Sequence, residues 1–238
     1  MISAAPIGLQ ALQGRRIVLE RSAPEHAPFL QQCYQNDEFM DLYRLAQDRR
    51  QTEAQIKERL TKEQNLLPQQ LKRVEWVIHH LSDSNTKEPI GLGALVDYQR
   101  AHRRAEFLFG IVNPKYRATG VSLEASLLIL DFAFNQAQLH KLIAYIYGYN
   151  HYAQENVIRF GFTQEGKLRE HVYFPKQGFL DLYLNALIES DFRANRRLSS
   201  FSKRLLGWDI TSKPSQPQKL PKEQLAEAKE AFRQLANR

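Results

Sequence analysis

The stretch PKYRATGVSLEA, residues 114–125, decides the fold class because it joins a strand pattern to a long apolar helix pattern. Before it, RAEFLFGIV reads as a strand that ends at Asn113; after it, VSLEASLLILDFAFNQAQ is apolar nearly all round. Such a helix is usually buried against a sheet. The small residues around Gly120 would let an anion approach the helix N-terminus closely. A single glycine after a strand is also common in ordinary turns, so both interpretations are open here.

The rest of the chain predicts an α+β fold with a mixed, mostly antiparallel central sheet and helices on both faces. RRIVLER (15–21) predicts a first strand, two helices follow it, and VEWVIHHL with PIGLGALVDYQ predicts a hairpin. After the central helix, KLIAYIYGY, KLREHVYF and LDLYLNALI predict three more strands, and HYAQENVIRFGF predicts a helix between the first two.

Composition excludes several classes of protein. The chain has 238 residues, 43% hydrophobic and 25% charged, which is ordinary for a globular protein. The single cysteine, Cys33, excludes an internal disulfide framework, and His140, His151 and His171 show no metal-ligand spacing. Because the histidines lack this spacing, we expect no bound metal. The N-terminus has neither a basic region nor a long apolar run, so we expect a cytoplasmic protein.

Charge divides the chain. From Phe192 onward there are 11 Lys/Arg and 4 Asp/Glu, whereas the preceding 191 residues carry 22 of each. We therefore predict an N-terminal extension (1–14), one domain (15–192) and a basic helical tail (193–238) with a proline-containing linker. The tail could pack on the domain or a second subunit, contact an anionic membrane or RNA, or dock on a protein complex. Its last helix is nearly balanced in charge, which favours a protein complex over nucleic acid.

Two motifs in residues 15–192 resemble the GNAT (Gcn5-related) N-acetyltransferase superfamily. Its acetyl-CoA loop reads Q/R-x-x-G-x-G/A, and Arg117 and Gly120 match this pattern, with Ser122 at the final position. A Glu-Ala pair that often follows is present at 124–125, and a second signature, Asn, a small residue, then Gly-Phe, falls at positions 150, 153 and 161–162. Within the superfamily, the chain is most similar to bacterial spermidine N-acetyltransferases and ribosomal-protein N-terminal acetyltransferases.

The resemblance implies acetyl-CoA as co-substrate and acetyl transfer to a primary amine, either a protein N-terminus or a small molecule. It also implies two parts of the CoA site: the backbone at the end of the fourth predicted strand, and the phosphate loop with the asparagine of the second signature. The residues concerned are Ile111, Val112, Asn113, Arg117, Ala118, Thr119, Gly120, Val121, Ser122 and Asn150. For Asn150, a simple capping role is an equal alternative.

The reaction needs a base for the amine and a proton for the departing thiolate. Glu106 is the predicted base; the alternative is that it pairs with Arg103 or Arg104. Many family members have a tyrosine four residues before the glycine of the Gly-Phe turn, where this chain has Val157. Valine cannot donate a proton. Tyr152 is therefore the predicted catalytic phenol, with Tyr149 as a second candidate; either tyrosine could instead be a packing residue.

The departures from the family pattern support a second hypothesis. Ala118, Ser122 and Val157 differ from the usual residues, and the segment after the first helix, LYRLAQDRRQTEAQ, is poor in acids and rich in arginine. A polycation such as spermidine is not favoured there. The alternative is therefore a GNAT-fold protein without catalysis that docks on a protein complex through its tail. A homo-oligomer stays open under both hypotheses.

Overall fold

The computed structural model describes residues 11–43, 48–66, 70–82, 86–117, 119–174 and 177–214. Parts of four sequence predictions fall outside these residues: most of the N-terminal extension, the contribution of Ala118 to the phosphate loop, most of the proline-containing linker, and the last helix of the tail.

The structure confirms the mixed α+β fold with helices on both faces of the sheet. The strands are β1 (Leu12–Gln13), β2 (Ile17–Arg21), β3 (Val74–Leu81), β4 (Lys87–Gln99), β5 (Arg104–Ile111), β6 (Lys141–Tyr147), β7 (Thr163–Phe174) and β8 (Gly178–Ile188). The helices are α1 (Ala27–Gln35), α2 (Asp37–Met40), α3 (Glu53–Gln64), α4 (Val121–Asp131), α5 (His151–Arg159), α6 (Glu189–Ala194) and α7 (Arg196–Leu205). A π-helical turn, Phe132–Gln136, continues α4. No helix of the described ranges is both long and apolar enough to cross a membrane.

The eight strands form one sheet in the order β1-β2-β3-β4-β5-β6-β8-β7. All neighbours are antiparallel except β5 and β6, which are parallel and are connected through α4. One apolar cluster fills the face covered by α4 to α7, and a second fills the face covered by α1 to α3. The sequence pattern did not show the short strand β1, or the break between α1 and α2 at Asn36.

Local capping explains where two helices begin. The Thr52 hydroxyl accepts a hydrogen bond from the Gln55 N–H at 3.3 Å, and the Gln55 side chain accepts one from the Thr52 N–H at 2.8 Å. This capping box fixes the start of α3, and a threonine before a helical pattern is a common sequence signal for such a start. Asn195 is the N-cap of α7, because its side chain accepts a hydrogen bond from the Leu198 N–H at 3.0 Å.

The first part of the predicted tail packs on the domain. Leu198, Leu206 and Ile210 are buried in the same cluster as α4. Trp208, which follows α7, is exposed, with 42% of its surface accessible. Residues 193–214 therefore add apolar side chains to the core beneath α4.

Candidate active site

The central sheet opens between β5 and β6. Backbone pairing between these strands runs only from Arg104–Lys141 to Glu106–Ile143. Beyond that point β5 stays paired with β4 as far as Ile111, and β6 stays paired with β8 as far as Tyr147. The two strands therefore diverge towards their carboxyl ends and leave a cleft. Unpaired strand edges offer backbone donors and acceptors to a ligand, and clefts at the carboxyl ends of parallel strands are common binding sites.

A helix N-terminus lies beyond each strand that borders the cleft: α4 follows β5, and α5 follows β6. The residue before α4 is Gly120, which has φ +86° and makes no side-chain capping bond. Only glycine adopts this left-handed conformation without strain. The uncapped first-turn N–H groups give this end of α4 a positive partial charge suited to an anion.

The loop residues before Gly120 are fastened to the end of β5. The Thr119 hydroxyl donates to the Tyr116 carbonyl at 2.8 Å. The Arg117 guanidinium donates to the carbonyl oxygens of Ile111, at 3.3 Å, and Val112, at 3.4 Å. Arg117 thus holds the loop against the strand, and its contact with phosphate stays a prediction. In the first turn of α4, Val121 is buried and Ser122 is partly exposed.

Backbone donors at the end of β5 are already engaged. The N–H groups of Val112 and Asn113 both donate to the Ile90 carbonyl on β4, at 2.9 Å and 3.3 Å. Ile111 is the last residue of β5 to pair with β4, opposite Gly91. The backbone donors that face the cleft must therefore come from earlier in β5 than Val112, nearer the fork.

Sequence reasoning missed a basic side chain beside the loop. Arg16, just before β2, donates through Nη1 to the Thr119 carbonyl at 3.0 Å. Its Nε donates to Glu124 Oε2 at 3.2 Å, and the other oxygen of Glu124 accepts from the N–H groups of Arg15 and Arg16. In the sequence, Glu124 stands out only as part of the Glu-Ala pair that often follows the family's acetyl-CoA loop. The contact joins positions 108 residues apart in the chain, so no local pattern could have indicated it.

Glu106 lies at the point where β5 and β6 separate. It pairs across the sheet with Val96 and Ile143 and is 8% exposed. Because directly opposite residues share a face, Glu106 lies on the face that α1 to α3 cover. Its two arginine neighbours on the chain form ion pairs with other acids: Arg103 with Glu189 at 3.8 Å, and Arg104 with Asp97 at 3.7 Å. This position is compatible with a base at the fork.

The candidate phenols differ in their surroundings. The Tyr149 hydroxyl donates to the Asp41 carbonyl, and burial together with the Asp41 charge raises the pKa of Tyr149 to about 12. Its proton is therefore held tightly. Tyr152, in the first turn of α5, is 73% exposed. Val157 is buried in the core cluster on the α4 face, where it serves as a packing residue.

Asn150 is the N-cap of α5. Its side-chain oxygen accepts a hydrogen bond from the Ala153 N–H at 3.1 Å, so the capping interpretation of this asparagine is confirmed. Asn150 follows the end of β6, whereas Gly120 follows the end of β5. Each residue therefore lies beyond one of the two strands that border the cleft. Contact with CoA stays a prediction for this residue.

A buried polar network beneath α1 and α3 was not predicted. Glu75 on β3 is 3% exposed and accepts hydrogen bonds from the Tyr34 hydroxyl at 2.8 Å and 3.0 Å. Arg73 forms an ion pair with Asp48 at 2.7 Å, and Arg59 lies 3.6 Å from Glu75. The acids and arginines sit far apart in sequence, so only the fold brings them together. Their paired charges indicate a structural network.

A second cluster contains Glu20, His26 and His79, whose potential ligand atoms lie within 4.8 Å of one another. The His26 Nδ1 accepts a hydrogen bond from the Ala23 N–H at 3.0 Å. Neutral His26 therefore carries its proton on Nε2, the atom that lies 3.6 Å from Glu20. Lys87 also donates to Glu20. These contacts fit an ion-paired cluster better than a metal site.

A forked sheet with a helix N-terminus that follows a glycine at its open end is typical of transferases that use an acyl-CoA. The family model described as an acetyltransferase (GNAT) domain matches residues 16–163, and the chain belongs to this family.

Relatives support this assignment. Spermidine N(1)-acetyltransferase of Escherichia coli K12 is 33% identical over 100 residues, which is 42% of this chain; the chain thus spans only half (50%) of that relative. The uncharacterized N-acetyltransferase YoaA of Bacillus subtilis is 25% identical over 164 residues, 68% of this chain and 88% of that protein.

Solved structures share the fold. The spermidine N-acetyltransferase of Vibrio cholerae, in complex with CoA and spermine, superposes with a TM-score of 0.64 and 21% identity, covering 74% of this chain and 97% of that one. A dodecameric structure of the Vibrio enzyme in an intermediate state gives a TM-score of 0.62 at 20% identity, covering 74% of this chain and 96% of that one. At these identities, the likeness shows the fold alone.

Proposed function

We propose that this protein transfers the acetyl group of acetyl-CoA to a primary amine. The observation that carries the proposal is the fork between β5 and β6, which begins at Glu106 and opens towards the α4 N-terminus at Gly120. A thioester lying in this cleft would place its phosphates at a positive helix end and its acetyl group near a carboxylate. Membership of the GNAT family supports the same reaction.

The amine attacks the thioester carbonyl, so that a C–N bond forms and the C–S bond breaks. Glu106 accepts the proton of the amine, directly or through a water molecule, and the thiolate takes a proton from Tyr152 or from water. Backbone N–H groups of β5 upstream of Val112 stabilise the oxyanion. Asn150, at the end of β6, contacts the pantetheine arm in this proposal.

The charge around α2 bears on the amine acceptor. Two relatives are named for spermidine or were solved with spermine. In this chain, the Arg49 guanidinium bonds Asp37 at 3.1 Å and Asp41 at 2.5 Å and so compensates the carboxylates at the two ends of α2. Less negative charge remains to attract a polycation, which favours a monoamine or a protein N-terminus. A homo-oligomer, a cytoplasmic location and a protein partner of the tail belong to the same proposal.

A turnover assay tests this function. Release of free CoA thiol would be followed with acetyl-CoA and three acceptors: spermidine, a small monoamine and a short peptide with a free N-terminus. Glu106→Gln should lower kcat by about 100-fold or more, as expected for loss of a general base. Glu165→Gln, on β7 and ion-paired with Lys141, is the matched control and should keep full activity.

The pattern of outcomes separates the two hypotheses. Turnover with any amine, together with its loss in Glu106→Gln, supports the transferase. Binding of acetyl-CoA without turnover of any acceptor would instead support a GNAT-fold protein that has lost catalysis.

A further inference from the structure

Two positive groups lie side by side at the start of α4. The Arg16 Nη2 is 3.2 Å from the position that a Cβ on Gly120 would occupy, so the guanidinium rests against the N-cap of the helix. The free N–H groups of a helix N-terminus carry positive partial charge, and a cation at this end is unfavourable. Glu124 compensates part of this positive charge through the inner side of the guanidinium, and an anion between the helix end and Nη2 would compensate the rest.

Two contacts hold the guanidinium of Arg16 in place. Its Nε bonds Glu124, which is 1% exposed, and its Nη1 bonds the Thr119 carbonyl at 3.0 Å. Nη2 makes no hydrogen bond with the described residues, and 44% of the side chain is accessible to solvent. Arg16 therefore presents an oriented, free donor beside the first turn of α4.

Arg117, the arginine expected from the family pattern, is placed differently. Its guanidinium donates to two carbonyl oxygens at the end of β5. Arg117 therefore uses its donors to hold the loop, whereas Nη2 of Arg16 makes no hydrogen bond with the described residues. The basic side chain closest to Gly120 thus comes from outside the motif.

We propose that Arg16 is a positioning residue for the phosphates of coenzyme A. In this proposal its Nη2 and the first-turn N–H groups of α4 bind the same phosphate group, while Glu124 fixes the orientation of the guanidinium. The inference rests on the proposed function, because that function supplies the phosphate-bearing co-substrate. The phosphate is either the pyrophosphate or the 3′-phosphate of CoA.

Calorimetry with three ligands tests the role of Arg16. CoA carries both phosphate groups, dephospho-CoA lacks the 3′-phosphate, and pantetheine carries none. Arg16→Gln should weaken CoA binding by about tenfold, the lower end for a charge-assisted hydrogen bond because the side chain is half exposed. It should leave pantetheine binding unchanged and make CoA affinity less sensitive to salt. Arg16→Lys should restore part of the affinity.

Arg15→Gln is the matched control, because Arg15 Nη2 lies 3.4 Å from the position that a Cβ on Gly207 would occupy, whereas Arg16 lies against Gly120. CoA affinity in this variant should equal that of the wild type. A tenfold loss that persists with dephospho-CoA assigns the contact to the pyrophosphate; a loss confined to CoA assigns it to the 3′-phosphate.

Two results would overturn the inference. One is equal CoA affinity in Arg16→Gln and the wild type. The other is an equal loss for CoA and pantetheine, which would show a general effect on the site rather than phosphate recognition. If wild-type protein bound no CoA at all, the proposed function itself would fail along with it.

Discussion

Glu124, which is buried, and Arg16, whose side chain is about half exposed, form an ion pair across 108 positions of sequence, with Arg16 Nε 3.2 Å from Glu124 Oε2. The same carboxylate accepts hydrogen bonds from the backbone N–H groups of Arg15 and Arg16. One side chain therefore anchors the start of β2 to the first turn of α4 and holds the entrance of the candidate site together.

The first prediction concerns this anchor. Glu124→Ala leaves part-buried backbone and guanidinium donors without their charged acceptor, so we expect the free energy of unfolding to fall by about 1.5–3 kcal/mol. Urea denaturation followed by circular dichroism measures the loss. The control is Glu58→Ala, which removes an exposed i,i+4 pair with Lys62 and should leave stability unchanged. Equal stability of the two variants would contradict the anchoring role.

The second prediction concerns the boundary of the domain. Leu198 on α7 has no exposed surface and lies in the cluster that includes α4. Leu198→Ala should therefore lower the free energy of unfolding by about 3 kcal/mol through lost burial and a cavity. Leu42→Ala, at a position that is 51% exposed, is the control and should have little effect.

A large loss at Leu198 would show that the folded domain continues through the first part of the tail. An unchanged stability would mean that α7 can detach from the core, and that residues 193–214 behave as a separate extension.

The third prediction concerns pH. Burial, with a contribution from the Glu75 charge, raises the pKa of Glu63 from 4.5 to about 7 and outweighs the attraction of Arg21. Because the native state then binds this proton more tightly than the unfolded chain does, its contribution is complete below about pH 4.5. That contribution is lost as the pH rises through about 7.

Glu63→Gln carries no titrating group at this position, so wild-type stability should fall relative to the variant between about pH 4.5 and about pH 7, the unfolded and native pKa values of Glu63. Urea midpoints of both proteins at several pH values in this range provide the comparison. Parallel curves would show that Glu63 titrates alike in the native and unfolded states.

The fourth prediction separates the two tyrosines. The Tyr149 hydroxyl is engaged with the Asp41 carbonyl, whereas Tyr152 is exposed at the start of α5. If Tyr152 protonates the thiolate, Tyr152→Phe should lower kcat by about tenfold or more and leave KM for acetyl-CoA unchanged. Tyr149→Phe should keep kcat within about twofold. The reverse order of effects would assign the phenol to Tyr149, and no effect in either variant would leave water as the proton source.

Periodicity and capping predicted much of the fold because these signals are local. The threonine before α3, the apolar run of α4 and the alternating patterns of the long strands each depend on neighbouring residues. Gly120 at the helix start was predicted for the same reason. β1 was missed because a two-residue strand has too few positions to show a period.

Features that depend on distant contacts could not be read from the sequence. The buried Tyr34–Glu75 bond joins residues 41 positions apart, and the Arg16–Glu124 pair is formed only when β2 packs beside α4. The same limit applies to the predicted Val112 and Asn113 donors, whose partner Ile90 lies on another strand. The motifs indicate where the loop before α4 lies in the chain, whereas the directions of its side chains required the fold.

The central claim, that the α4 N-terminus binds the phosphates of acetyl-CoA, is tested most directly by calorimetric titration of acetyl-CoA. Wild-type protein should bind with a micromolar dissociation constant, about −8 kcal/mol. Gly120→Glu, which puts a carboxylate at the anion site and a side chain at φ +86°, should show no binding. Gly166→Ala is the control, because a methyl group there meets no atom within 4 Å. No heat from the wild type at high micromolar acetyl-CoA, or equal affinity in Gly120→Glu, would contradict the account.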